Sequence, residues 1–192
     1  MRNLFLGLTL AGALISGTGW SQSALAAESN QAQAMQHLAE SMLRDIDRTT
    51  WVSEGKSDHV IYIFFDPNCP FCHRLYENMR DQVKQNKVQL RWIPVGILAT
   101  TSPGKAAAIL GAKDPLQAFY QNEDHYDKGG GIEEDIPSPA VEDSLKANTA
   151  LLARTGFGAV PLMLFRTKDG TAFLIQGAPP KDKLVKILEY VK

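Results

Sequence analysis

Three observations predict an α/β fold, in the order β-α-β, helical block, β-hairpin, α. Two short runs rich in β-branched and aromatic residues, His59 to Phe65 and Val88 to Ile93, flank a stretch of helical spacing. Two proline-led openings, Ser102-Pro103 and Ser138-Pro139, bracket a long helical region. Two further strand-like runs, Val160 to Phe165 and Thr171 to Ile175, are joined through Lys168-Asp169-Gly170, a hairpin signal.

Residues 29–48 keep an i, i+3, i+4, i+7 apolar spacing through Met35, Leu38, Ala39, Met42, Leu43 and Ile46, which predicts an amphipathic helix. Gly55-Lys56-Ser57 is a break, so 27–56 reads as a helix plus linker. The run from His59 has few polar residues and predicts a strand buried on both faces. A helix is expected from about Cys69 to Gln85, with Leu75, Met79 and Val83 on one side. Pro94 should stop the second strand. In the helical block, Asp114-Pro115 is a cap followed by proline at the first helical position, and Gly129 to Gly131 form a loop. Gly156 is the expected stop of the helix that opens at Ser138. Pro179-Pro180 opens a closing helix carrying Leu184, Ile187, Leu188 and Val191. This is the order of a thioredoxin fold over 57–192, with a helical insertion at about 103–156 and one N-terminal helix ahead of it.

Residues 1–26 read as an export signal. Arg2 precedes an apolar stretch from Leu4 to Ile15, and Ala24-Leu25-Ala26 fits a signal peptidase site, with cleavage before Ala27. The apolar stretch is shorter than the roughly 20 residues a membrane-spanning helix needs. The chain has 20 Lys+Arg against 21 Asp+Glu, so nucleic acid and anionic lipid are not expected partners. An export signal together with cysteines places the chain where disulfides persist, such as a periplasm.

The two cysteines form one motif, Cys69-Pro70-Phe71-Cys72, at the predicted strand-to-helix junction. A thiolate is the attacking species in disulfide exchange, and a helix N-terminus favours it through unpaired N–H groups and partial positive charge. Cys69 sits at that terminus and reads as an exposed nucleophile. Cys72, one turn on, reads as the more buried thiol that resolves the mixed disulfide, so Cys69–Cys72 is a redox pair. Pro70 suits the first turn because it has no N–H to lose. Cys69, Cys72 and His73 also offer a soft-metal reading, a Cu(I) carrier, but no metal or other cofactor is expected. His73 is expected to be a solvated first-turn histidine, its other reading being a residue that tunes the pair. Asp66 is expected to cap the helix, its other reading being loop orientation or proton transfer from Cys72. Pro161 opens an apolar run. A cis Val160–Pro161 bond would turn the Val160 backbone toward the cysteines, where it would pair with a substrate chain.

The segment HVIYIFFDPNCPFCHRL, His59 to Leu75, resembles the periplasmic DsbC/DsbG thiol:disulfide interchange family, and the DsbG catalytic domain most of all. VGILATTSPGKAAAILGAKDP, Val95 to Pro115, and GAVPLMLFRTKDGT before the hairpin carry the same resemblance. It implies a thioredoxin fold with an inserted helical subdomain, a cis proline at Pro161, Cys69 as nucleophile and Cys72 as resolving thiol. It also implies protein substrates bearing cysteines and a membrane redox partner, a DsbD-like reductant or a DsbB-like oxidant. Two departures qualify the role. Residues 27–56 are too short for the family's dimerisation domain, so a monomer is expected. Val160 stands where DsbC and DsbG carry threonine and the oxidase DsbA carries valine. Ile63, six before Cys69, replaces the buried acid of thioredoxin and DsbA, as in DsbC and DsbG. The expected activity is reduction or isomerisation of protein disulfides, with a DsbA-like oxidase as the alternative and a holdase chaperone as the alternative of another class.

Overall fold

A computed structural model describes residues 19–127, 131–156 and 158–192, and Ala34–Lys192 form one compact unit. Helix α1, Gly19–Arg44, opens the described chain, and a 3-10 turn, Ile46–Arg48, follows it. The expected helix at 29–48 is therefore displaced: Asp45 interrupts it before a separate turn. The predicted leader lies outside the described residues up to residue 18, and its last residues belong to α1.

The rest of the order is β1 Val52–Glu54, β2 Val60–Phe65, α2 Pro70–Lys84, β3 Gln89–Pro94, α3 Ser102–Gly111 and α4 Pro115–Asp124. Then come α5 Pro139–Ala153, β4 Leu162–Arg166, β5 Ala172–Gln176 and α6 Lys181–Leu188. One five-stranded sheet runs β1-β3-β2-β4-β5, with β2 and β3 parallel and the other neighbours antiparallel. The β-α-β, helical block, hairpin, α order matches the expectation.

Two differences matter. The supposed linker holds β1, which pairs Val52 with Trp92 and Glu54 with Leu90 at the sheet edge. Val191 does not extend α6. It leaves the helix and bridges Thr167, closing the C-terminus onto the hairpin.

The parallel pairing of β2 and β3 explains the near-continuous apolar run, because both faces of β2 are covered. On one face Ile61, Ile63 and Phe65 pack with Leu75 and Met79 of α2, Phe119 of α4 and Leu184 of α6. On the other face Phe64 packs with Leu162, Ala39, Met42 and the α5 leucines 151 and 152. The apolar stripe of α1 from Leu38 to Leu43, with Ile46 of the following turn, is thus used against its own sheet. Bidentate donation from Arg166 to Glu40, at 2.7 and 2.8 Å, fastens that helix to β4.

Two buried polar contacts lock the edges. The Glu54 carboxylate is fully buried, takes Arg80 of α2 in a bidentate pair and accepts from Trp92 Nε1 at 2.9 Å. Asn148 of α5 donates to the carbonyls of Thr50 and Pro94 and accepts from Thr50 N, each at 2.9 Å. Among the described residues no helix is long and apolar enough to cross a membrane.

Candidate active site

The site begins where β2 stops. Pro67 and Pro70 exclude a continuing ladder, and the chain turns through Asp66-Pro67-Asn68 into α2. Cys69 is the N-cap, in extended backbone, and its Sγ accepts from Cys72 N at 3.2 Å, as a serine oxygen would at this position. Pro70 is the first helical residue, as the sequence predicts. As a thiol, Cys69 donates to the Val160 carbonyl oxygen at 3.6 Å, so the residue before the cis Val160–Pro161 bond faces the sulfur. The strand itself starts two residues later than expected, at Leu162.

Both cysteines are free thiols and both are buried, Cys69 at 2% and Cys72 at 1% exposure. The expectation of an exposed Cys69 is corrected: Val160 and the loop cover it, while Phe71 beside it is 53% exposed. The two sulfurs differ in electrostatics. The Cys72 thiol and the N–H groups of Cys72 and Phe71 pull Cys69 below the ordinary cysteine range, against desolvation and the Asp66 charge. Burial pushes Cys72 well up, and the adjacent Cys69 sulfur adds to it. A depressed pKa means thiolate at lower pH. Alkylation of Cys69 by iodoacetamide should therefore switch on below the roughly 8.5 of a free cysteine, with Cys72 unmodified, as a pH series read by mass spectrometry will show.

Asp66 does not cap α2. Its buried carboxylate accepts from Asn68 N at 2.9 Å and Ser102 Oγ at 2.7 Å on one oxygen. The other oxygen accepts from Ile97 N at 2.7 Å and Leu98 N at 3.0 Å. It is a latch between the cysteine loop and the 96–102 segment. Gly96 is required there, because a Cβ would lie 2.6 Å from Pro103 Cα.

His73 is not solvated. Its ring is 14% exposed, Nδ1 lies 3.1 Å from Glu123 Oε2, and it stacks on Tyr126 at 4.6 Å. The Glu123 carboxylate holds the imidazole above its ordinary pKa, while burial raises Glu123 itself. Among the described residues no group of three or more His, Cys, Asp or Glu is placed to hold a metal ion, so the Cys69, Cys72, His73 trio is not gathered as one.

Several site residues escaped the sequence reading. Asn68 donates to Thr101 and Ser102 at 3.0 and 2.9 Å and accepts from Lys105 Nζ at 2.9 Å. Asn122 donates to the Pro67 carbonyl at 3.1 Å, and the Tyr126 hydroxyl to the Asn68 carbonyl at 2.9 Å. The inserted helices thus hold the loop from one side. Only the turn-forming character of Asn68 and the Ser102-Pro103 opening were signals.

Residues 46–192 match the thioredoxin-like domain family. The chain belongs to that family. As a thioredoxin-like protein it is similar to the thiol:disulfide interchange protein DsbG of Pseudomonas aeruginosa, 36% identical over 154 residues covering 79% of this chain and 60% of that one. It is also similar to the protein of that name from Escherichia coli K12, 31% identical over 148 residues covering 74% and 58%. The thioredoxin-like chain thus spans about three fifths of the length of these curated relatives. Among solved structures, a linker-deletion variant of Proteus mirabilis ScsC superposes with a TM-score of 0.70 at 18% identity, over 93% of this chain and 96% of that one. That likeness is one of fold.

Proposed function

We propose that this thioredoxin-like chain is a periplasmic thiol:disulfide oxidoreductase that reduces or isomerises disulfides of protein substrates. The carrying observation is the asymmetry of the pair: Cys69 at a helix N-terminus with its thiol favoured as the anion, Cys72 buried one turn behind it and held protonated. Cys69 is the nucleophile. Its thiolate attacks a substrate disulfide, the distal substrate sulfur leaves, and Cys72 then attacks Cys69 Sγ to release the reduced substrate. Val160 and Pro161 form the substrate-binding edge, where an extended peptide pairs with the backbone beside the sulfur. Phe71 and Leu98, both about half exposed, supply apolar contact for an unfolded segment.

The similarity to interchange proteins supports both the reaction and a periplasmic setting. The chain acts as a monomer, in line with the α1 stripe being spent on its own sheet, and a DsbD-like membrane reductant keeps it reduced. Val160 favours a second reading, a DsbA-like oxidase fed by a DsbB-like acceptor. Acid quenching of living cells followed by thiol alkylation decides the direction. A mostly reduced Cys69–Cys72 pair is expected, and a mostly oxidised pair would overturn the reductive assignment.

A further inference from the structure

We propose that Glu123, acting with His73, is the proton station of the resolving thiol: the pair takes up the proton of Cys72 as its sulfur attacks the mixed disulfide. This rests on the disulfide-exchange reading above. In the resolving step the Cys72 sulfur forms a bond to Cys69 Sγ, the bond from Cys69 to the substrate sulfur breaks, and the substrate leaves as a thiolate. The Cys72 proton goes to the His73–Glu123 pair and from there to the leaving thiolate or to water. Oxidation of the two cysteines balances reduction of the substrate disulfide, and no further reactant is needed.

The need for such a group follows from burial. Cys72 is 1% exposed, so bulk water cannot take its proton directly. Position 63, two residues before the end of β2, is an isoleucine that is fully buried and has nothing to ionise. Two buried carboxylates adjoin the loop, Asp66 and Glu123. Asp66 is excluded by its geometry. Its two oxygens already accept four hydrogen bonds, which fills the lone-pair sites a proton would use.

Glu123 differs. One oxygen meets His73 Nδ1 at 3.1 Å and the other accepts from Asn122 Nδ2 at 3.0 Å, so half of its acceptor capacity is open. Asn122 also donates to Pro67 O, which fixes the carboxylate against the loop. His73 directly follows Cys72 in the first turn of α2. Its outer nitrogen, Nε2, faces Glu77 at 3.9 Å and Asp127 at 3.8 Å, both exposed, on an open cleft that offers the proton a way out. The charged and titratable neighbours around the pair and its cleft are Glu77 and Arg80 on α2, Asp124 on α4, Asp127 after it, Lys181 on α6, and the Tyr76 and Tyr126 rings. Burial raises Glu123, and its charge opposes the Cys72 thiolate, after burial and the Cys69 sulfur.

The test follows reduced protein reacting with glutathione disulfide, acid-quenched at short times and read by mass spectrometry, from about pH 6 to 9. Formation of the Cys69–glutathione adduct and its resolution are separate phases. For Glu123→Gln the ratio of resolution rate to formation rate should fall at least about tenfold, with the lower-pH limb of the resolution profile changed. His73→Gln, altered at a residue that reaches solvent, should show the same loss and serves if the first variant does not fold. A ratio and pH profile equal to the wild type, or faster resolution, would overturn the proposal even if the melting temperature falls. Failure of the wild type to form the adduct at Cys69 would instead overturn the disulfide-exchange reading.

Discussion

Cys69→Ser is expected to bring insulin-disulfide reduction down to the rate of the chemical reductant alone. A serine hydroxyl at the same N-cap accepts the same Cys72 N–H but is not ionised near neutral pH and forms no mixed disulfide. The fold should be untouched, since serine is a favoured N-cap, and an unchanged melting temperature is the control. Cys72→Ser should separate the two steps. Cys69 keeps its helix N-terminus and still attacks, but nothing resolves the adduct, so mixed disulfides with substrates accumulate on non-reducing gels. Retained activity in Cys69→Ser would remove the nucleophile assignment. A clean gel for Cys72→Ser would remove the resolving role.

The second large effect concerns the fold. Arg80→Met is expected to destabilise the protein by about 3–5 kcal/mol. The substitution leaves the Glu54 carboxylate, fully buried, with Trp92 Nε1 as its one remaining donor of those two. For an ordered region of this size that is a fall in Tm on the order of 10 °C. Adding Glu54→Gln removes the stranded charge and keeps an acceptor for Trp92, so the double variant should recover more than half of the loss. Urea melts of the single and double variants check this. A loss under about 1 kcal/mol for Arg80→Met would show that water reaches the pair.

Particular residues show why some of this was legible and some was not. Cys69-Pro70 at the end of an apolar run declared both the helix start and its cap, because capping chemistry is local. The parallel strand pair was readable because burial on both faces writes itself as an unbroken run. β1 was missed because its three residues are too few to show a period, and its buried Glu54 has the composition of a surface. Asp66 looked like a cap because it stands three before the cysteine, yet three of its four donors come from residues 31 to 36 positions away. Glu123 sits in the polar stretch QNEDHYD, which reads as solvated. Only the packing of α4 against α2 turns one of its carboxylates inward. Local signals placed the sulfurs, and long-range contacts set their surroundings.

The latches on the cysteine loop carry a consequence for how the chain matures. The side chains beyond α2 that hydrogen-bond residues 66–73, at Thr101, Ser102, Lys105, Asn122, Glu123 and Tyr126, arrive from 33 or more positions downstream, and the Val160 carbonyl from 91. A nascent chain that has emerged only through β3 holds both cysteines but none of these partners. Its thiols have the reactivity of cysteines in an unstructured peptide, slow to attack and indifferent to which of the two reacts. Selective exchange chemistry should then switch on only when the helical block and the hairpin have docked. On the proposed function, the protein would thereby be kept from trading disulfides with its neighbours while it is itself still unfinished.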